Sequence, residues 1–465
     1  VSALDVKIRA ARAVGQVARR AGRGGGTSLP GKVLTVLDPR AVERLAARLP
    51  RGCAVISATN GKTTTAAMAA SVLQRAGIKL VYNRAGANMA GGVASTLAAA
   101  AGRRGSIAGE LGLFEVDEFW LDRVGPQLRP RALLLSNLFR DQLDRYGELD
   151  TIADRWATMV TALPADAHLA LNADDPLIAD LGRGRRGVAY FGVQDRSMAS
   201  AEMQHASDSK HCRNCGAAYV YDVAYLGHLG IYRCPGCGRE RPAPSVAAER
   251  VILHGIRSAS FTLVAAGASI DVALPLPGLY NVYNALGAAT LCLGLGMTLE
   301  QVADGLANVA AAFGRAERIA VGDHELSVLL IKNPAGANEI LRTLALESGE
   351  LDLLGVLNDG VADGRDVSWV WDADFELLVG RVRRITCSGT RAAELALRLK
   401  YAGVAPERLD VVPQLARALD VAMANAPAGA AVYALPTYTA LLELRAELGR
   451  RGYVGRFYEP EPVAV

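Results

Sequence analysis

Lysine is scarce in this sequence of 465 residues: it stands at Lys7, Lys32, Lys62, Lys79, Lys210, Lys332 and Lys400, and arginine carries most of the positive charge. The formal net charge of +4 is small for such a length and does not imply a strong general attraction to nucleic acid. Long apolar runs are also missing, since none approaches the roughly 20 residues that would span a bilayer. The first residues lack a signal-peptide core with a small-residue cleavage site, so the expectation is a soluble cytoplasmic protein. Cysteine is limited to seven positions. Four of them form two CxxC units, while Cys53, Cys292 and Cys387 lie singly in apolar segments as core residues would, which argues against a secreted disulfide framework.

The composition is 51% hydrophobic and 21% charged, that of an ordinary globular protein. The length exceeds what one core usually supports, so more than one domain is expected. Residues 3 to 22 have helical spacing of apolar positions with Lys and Arg between them, followed by the Gly-rich run from Gly22 to Gly26. This basic amphipathic helix can pack on the protein's own body or rest on an anionic membrane surface. From Gly52 the pattern is strand, glycine turn, helix, and the apolar strands ALLLSN (132–137) and HLALN (168–172) alternate with helical segments. That alternation predicts a doubly wound α/β domain. A polar, cysteine-bearing insert near 205–245 interrupts it, and 278–296 reads as a loop entering a helix. After 313–318 a second α/β run begins, with strands expected near 327–332, 353–358, 383–389 and 431–436. The expected domains are an N-terminal helix and loop (1–45), a central α/β domain that carries the insert (46–315) and a Rossmann-like α/β C-terminal domain (316–465).

Thr59-Asn60-Gly61-Lys62-Thr63-Thr64 lies between the strand CAVISA and a helix, where backbone N–H groups and a helix N-terminus can cradle phosphates. Lys62 would pair with the β/γ-phosphates and Thr63 would offer its hydroxyl to Mg²⁺. The general Walker pattern asks for a further glycine five residues before Gly61, and Ile56 stands there instead. In the insert, Cys212-x2-Cys215 and Cys234-x2-Cys237, followed by Gly216 and Gly238, form a zinc-ribbon pattern. Four thiolates suit a tetrahedral, structural Zn²⁺ with no open coordination position. They complete that shell, so His205, His211 and His228 are expected at the surface.

The short form TNGKTT after a strand resembles the P-loop of the Mur ligases and folylpolyglutamate synthetases. Other segments resemble the same family in its order along the chain. LFEVDE puts Glu115 at the position of a Mg²⁺-binding glutamate. SNLFRDQLDRYGE resembles a segment that usually carries Asp-His, here Asp141-Gln142. LNADDP resembles a nucleotide-contacting Asn-x-Asp-Asp, although Asp174 and Asp175 could equally cap a helix. GLYNVYNAL places Asn281 in the adenine-side motif, and FGRAE places Arg315 at a phosphate-contacting arginine. The departure is the lysine gap: amino-acid-adding Mur ligases generally use a carbamylated lysine soon after the Asp-His segment, and none lies between Lys79 and Lys210.

KNPAGANE (332–339), LNDGVADGRDVSWVWDADFE (357–376), LPTYTALLELR (435–445) and NRAGANMAGG (83–92) together resemble the family of MurT subunits of lipid II isoglutaminyl synthase. That resemblance implies ATP-dependent, Mg²⁺-requiring amidation of the α-carboxylate of D-Glu in the lipid II stem peptide through an acyl phosphate. It implies work at the inner face of the plasma membrane. No cysteine here lies in a Gly-x-Cys-x-Gly-like nucleophile elbow, so ammonia would come from a partner, a GatD-like class I glutamine amidotransferase. An aspartate of the C-terminal domain would complete the partner's catalytic triad. It would be one of Asp359, Asp363, Asp366, Asp372 and Asp374, with Asp366 and Asp363 favoured. The competing readings are a single-chain amino-acid-adding ligase and a zinc-ribbon nucleic-acid binder.

Overall fold

The computed structural model describes residues 3–20, 28–83, 87–102, 106–140, 149–200, 207–310 and 315–455. Asp141, Gln142 and His205 lie outside them. Two α/β bodies are built around separate sheets. The first sheet contains β1 (Cys53–Ser57), β2 (Leu80–Tyr82), β3 (Leu111–Glu115), β4 (Ala132–Leu135), β5 (His168–Asn172) and β6 (Val188–Val193). An insert then forms a separate two-stranded ribbon, β7 (Val220–Leu226) and β8 (Leu229–Arg233), before β9 (Val246–His254), β10 (Ser258–Ala265) and β11 (Ala268–Leu274) finish the first sheet.

Its nine strands run in the order β11-β10-β9-β6-β5-β4-β1-β3-β2. Pairing is parallel from β2 through β9, and β9-β10-β11 form an antiparallel meander. Strands covered on both faces must be apolar throughout, and all five residues of β1 are buried. Ala54 and Ile56 face a core with the helices Lys62–Arg75, Leu279–Gly294 and Leu299–Ala307. Cys53 and Val55 face the opposite core, with Ala90–Ala100, Leu121–Leu128 and Leu149–Thr161. Each fully buried Leu or Ile contributes about 1.5–3 kcal/mol.

The N-terminal helix Ala3–Arg20 joins that second core through Leu4, Ile8 and Ala11, and Arg12 Nε donates to Ala98 O at 2.9 Å. Beside it lies a second helix, Leu29–Leu37, within the stretch 1–45 where the sequence pattern suggests one helix and a loop. Among the described residues no helix is long and apolar enough to cross a membrane.

The second sheet holds β12 (Arg315–Val321), β13 (His324–Leu329), β14 (Leu351–Val356), β15 (Val382–Ser388), β16 (Leu409–Val411) and β17 (Ala431–Pro436), in the order β12-β13-β17-β14-β15-β16. Only β12 runs antiparallel to its neighbour. The helices Pro334–Ala345 and Ala392–Ala402 cover one face; Leu415–Asn425 and Tyr438–Arg450 cover the other.

Candidate active site

In the first sheet β1 is flanked by β3 and β4, so the chain winds in opposite directions on its two sides. Open α/β sheets bind ligands at such a switch point, beyond the carboxyl ends of the strands. The loop Thr59–Thr64 lies there. Ile56, at the position of the missing Walker glycine, is the fourth residue of β1 and fully buried, so the strand continues to Ser57 and the loop is short. Gly61 caps the helix Lys62–Arg75 with φ +85°, and a Cβ there would meet Asn284 Oδ1 at 2.0 Å. Backbone freedom and close approach both require glycine.

Asn137, two residues beyond β4, clamps the loop: its Oδ1 accepts from Asn60 N at 2.9 Å and its Nδ2 donates to Asn60 O at 3.0 Å. Thr59 Oγ1 accepts from Phe139 N at 3.1 Å. Thr64 and Gly61 line the cleft beyond the loop. Asn281 is buried and does not line it; its Oδ1 accepts from Asn284 Nδ2 at 3.0 Å, and Asn284 does line it. The segment GLYNVYNAL thus reaches the cleft through the asparagine three residues further on.

Lys62 is buried, and its Nζ pairs with Glu118 Oε2 at 2.6 Å and donates to Thr59 O at 3.1 Å. Burial alone would depress the ammonium pKa, but Glu118, Asp117 and Glu115 outweigh it and hold Lys62 above its ordinary value. Thr63 Oγ1 donates to Glu115 Oε1 at 3.0 Å. Asn83 fixes the Glu115 backbone on both sides, accepting from its N–H at 2.9 Å and donating to its carbonyl at 2.8 Å. Glu115 Oε2 is buried and has no hydrogen-bond partner among the described residues. A hydroxyl beside an unsatisfied carboxylate oxygen is a hard oxygen donor set that fits Mg²⁺. LFEVDE carries Glu118 as well, three residues after Glu115, and its place as the third carboxylate of that motif is the signal for it.

Asp174 and Asp175 serve structure. Asp175 Oδ1 caps the helix Pro176–Asp180, accepting from Leu177 N at 2.9 Å, and its Oδ2 accepts from Leu138 N at 3.0 Å. Asp174 bonds Arg241 Nε at 2.5 Å and Tyr283 OH at 2.6 Å. Burial pushes its carboxyl up, against the opposing pull of Arg241, Tyr283 and the Val193 N–H. Arg315 begins β12 and its backbone pairs with Leu329, which lines the cleft; its side chain lies outside the described residues. Asn333 Nδ2 donates to Asn60 Oδ1 at 3.0 Å, tying the C-terminal domain to the P-loop.

The four cysteine sulfurs lie within 4.8 Å of one another. Cys215 and Cys234 are 3.4 Å apart, and Cys212 and Cys237 3.6 Å. Sulfurs about 2.3 Å from a tetrahedral Zn²⁺ would stand about 3.8 Å apart, so the cluster could hold a metal. Each knuckle is closed by a backbone turn, Gly216 N to Cys212 O at 2.7 Å and Gly238 N to Cys234 O at 3.0 Å. Of the neighbouring histidines His211 is exposed, whereas His228 is fully buried against Asp175, not at the surface as expected. Its place at the turn of the ribbon, inserted into the first domain, is the reason.

The two favoured aspartates differ sharply. Asp363 is buried, with Oδ1 accepting from Thr439 N at 2.8 Å and Oδ2 accepting from the Thr439 hydroxyl and from Gly360 N at 3.2 Å. Asp366 is exposed, and hydrogen bonds from Ser368 hold its carboxyl below the usual carboxylate range.

Residues 56–232 match the Mur ligase middle domain, and residues 330–441 match the MurT ligase C-terminal family. The lipid II isoglutaminyl synthase (glutamine-hydrolyzing) subunit MurT of Streptococcus pneumoniae is 33% identical over 434 residues, covering 93% of this chain and 94% of that one. The Staphylococcus aureus subunit of the same name is 32% identical over 451 residues, with 95% of each chain covered. Among solved structures, a pseudomurein peptide ligase type C from Methanothermus fervidus superposes with a TM-score of 0.65 over 88% of this chain and 80% of that one, at 21% identity, which speaks for the fold. A P-loop closed by Asn137, a threonine–glutamate pair beneath it and a second α/β body at the cleft are thus joined to full-length similarity: the chain belongs to the MurT family of Mur ligases, which are ATP-dependent ligases.

Proposed function

We propose that this chain is the synthetase subunit of a lipid II isoglutaminyl synthase, amidating the α-carboxylate of D-Glu in the stem peptide to give D-isoglutamine. The observation that carries the reading is the Thr63–Glu115 pair beneath the P-loop lysine, with Glu115 Oε2 buried and unsatisfied. The names of the relatives supply the substrate.

A carboxylate is a poor electrophile until one of its oxygens is phosphorylated. Its oxygen attacks the γ-phosphorus of ATP, ADP leaves, and ammonia then attacks the acyl carbon as phosphate departs and a proton is lost. Phosphoryl transfer needs positioning and charge neutralisation more than covalent help. Lys62 exchanges Glu118 for phosphate oxygens, the N-terminus of the helix Lys62–Arg75 faces the same charge, and Arg315 would add to it. Thr63 and Glu115 would hold Mg²⁺, which neutralises phosphate charge when bound. The Cys212, Cys215, Cys234 and Cys237 cluster would hold a structural Zn²⁺.

Ammonia comes from a GatD-like glutaminase partner, in a heterodimer acting at the cytoplasmic face of the plasma membrane. Asp366 supplies the acid that orients and charge-stabilises the partner's histidine. Its exposure and ionisation support that role, whereas both oxygens of Asp363 are engaged within the chain. The test is mass spectrometry of lipid II incubated with the chain, ATP and Mg²⁺, with either ammonium or glutamine plus the co-expressed glutaminase. Exchange of OH for NH₂ is expected with both nitrogen sources; no mass change with either would return the substrate to question.

A further inference from the structure

The mechanism leaves the cysteine-bearing insert with no task beyond its own stability, yet the insert is built into the cleft. Strands β7 and β8 lead from the cysteine knuckles to a turn at the opposite end of the ribbon, formed by Leu226, Gly227, His228 and Leu229. His228 is fully buried there, with Nε2 3.3 Å from Asp175 Oδ2 and its ring centroid 4.6 Å from that of Phe139. Gly230 N donates to Asp174 O at 2.9 Å, so the ribbon is also pinned through its backbone. On its other side Arg342, from the C-terminal helix Pro334–Ala345, donates to Tyr225 O at 3.2 Å. Leu226, Gly227 and Leu229 face the cleft that starts at Gly61 and Thr64.

We propose that the ribbon turn is a wall of the nucleotide cleft and that Leu226 and Leu229 contact the adenosine end of ATP. This rests on the reading of the cleft as the ATP site. The phosphates belong at the P-loop and the helix N-terminus. What remains of the nucleotide must lie along the apolar stretch beyond Asn137 and Phe139, where two leucines offer aliphatic surface to a purine face. The cysteine knuckles then have a second purpose: they hold in register a hairpin whose far end shapes the binding site.

The test compares ATP with inorganic tripolyphosphate, which has the phosphates and no base, by calorimetry on the full zinc-loaded chain. Leu226→Ala and Leu229→Ala should each weaken ATP about tenfold and leave tripolyphosphate within about twofold, with zinc content unchanged. Parallel weakening of both ligands, or no change in either, would overturn the proposal. Hydrogen exchange on the unmutated chain needs no variant to fold: ATP should protect the amides of residues 226–230 and tripolyphosphate should not. Equal protection by the two would also overturn it. An unmutated chain that binds neither ligand would sink the cleft reading itself, whereas intact ATP affinity in both variants would sink only the role of the ribbon.

Discussion

Lys62 is held by Glu118 in a buried pair, and nucleotide phosphates must compete with that carboxylate for the same ammonium. Lys62→Ala should therefore lower amidation by on the order of 10²–10³-fold, read as formation of isoglutaminyl lipid II, while the complex with the glutaminase still forms on a sizing column. Turnover close to that of the unmutated chain would remove Lys62 from the site. Asp366 and Asp363 call for opposite outcomes. Asp366→Asn should stop glutamine hydrolysis by the partner yet spare amidation with added ammonium. Asp363→Asn breaks the tie between Thr439 and Gly360 and should cost about 1–3 kcal/mol of stability, seen as a lower unfolding midpoint. Spacing left these two undecided because both sit in one acidic loop; burial and hydrogen-bond partners separate them, and neither can be read from residue order. Glu118 escaped for a related reason, since its value lies in meeting Lys62 across 56 positions of chain.

Among the elements, the P-loop shows how much a single residue type can demand. Gly61→Ala would force a side chain into a left-handed backbone and against Asn284. The expected result is loss of ATP binding, followed by calorimetry, together with destabilisation of roughly 1–3 kcal/mol; normal ATP affinity would mean that the loop can rearrange. The strands β5 and β17 coincide with the apolar runs 168–172 and 431–436 read in the sequence. Others shift by a few residues: β13 ends at Leu329, where the apolar run continues to Lys332. The meander of β9, β10 and β11 was not foreseen. Its alternation of buried and exposed residues is partial, with Arg250 at φ +49° and a register shift between Ser260 and Thr262. The helix Leu29–Leu37 was hidden behind the glycine run before it, and tertiary packing on Ala90–Ala100 supplies what local pattern did not signal.

At the scale of the whole molecule, the two α/β bodies meet over the cleft through Asn60 and Asn333, and the ribbon lies against both. The second α/β sheet was legible because its run of strands lies far from the P-loop motif in the chain; the ribbon's insertion into the cleft was not, because its turn carries no motif. Cys212→Ser should lower zinc content and folded yield together, measured by metal analysis and soluble recovery. Unchanged metal content would discredit the ribbon as a zinc site.

The three remaining cysteines give the protein an internal gauge of that state. Burial pushes the Cys53 and Cys387 thiols up to about 12, and Cys292 higher still. Thiolate is the reactive form, so these three stay silent toward an alkylating reagent at neutral pH as long as the sheets hold. Whatever label the native chain accepts therefore reports on the ribbon sulfurs alone, and a simple titration with and without a chelator becomes a count of metal occupancy in the intact complex.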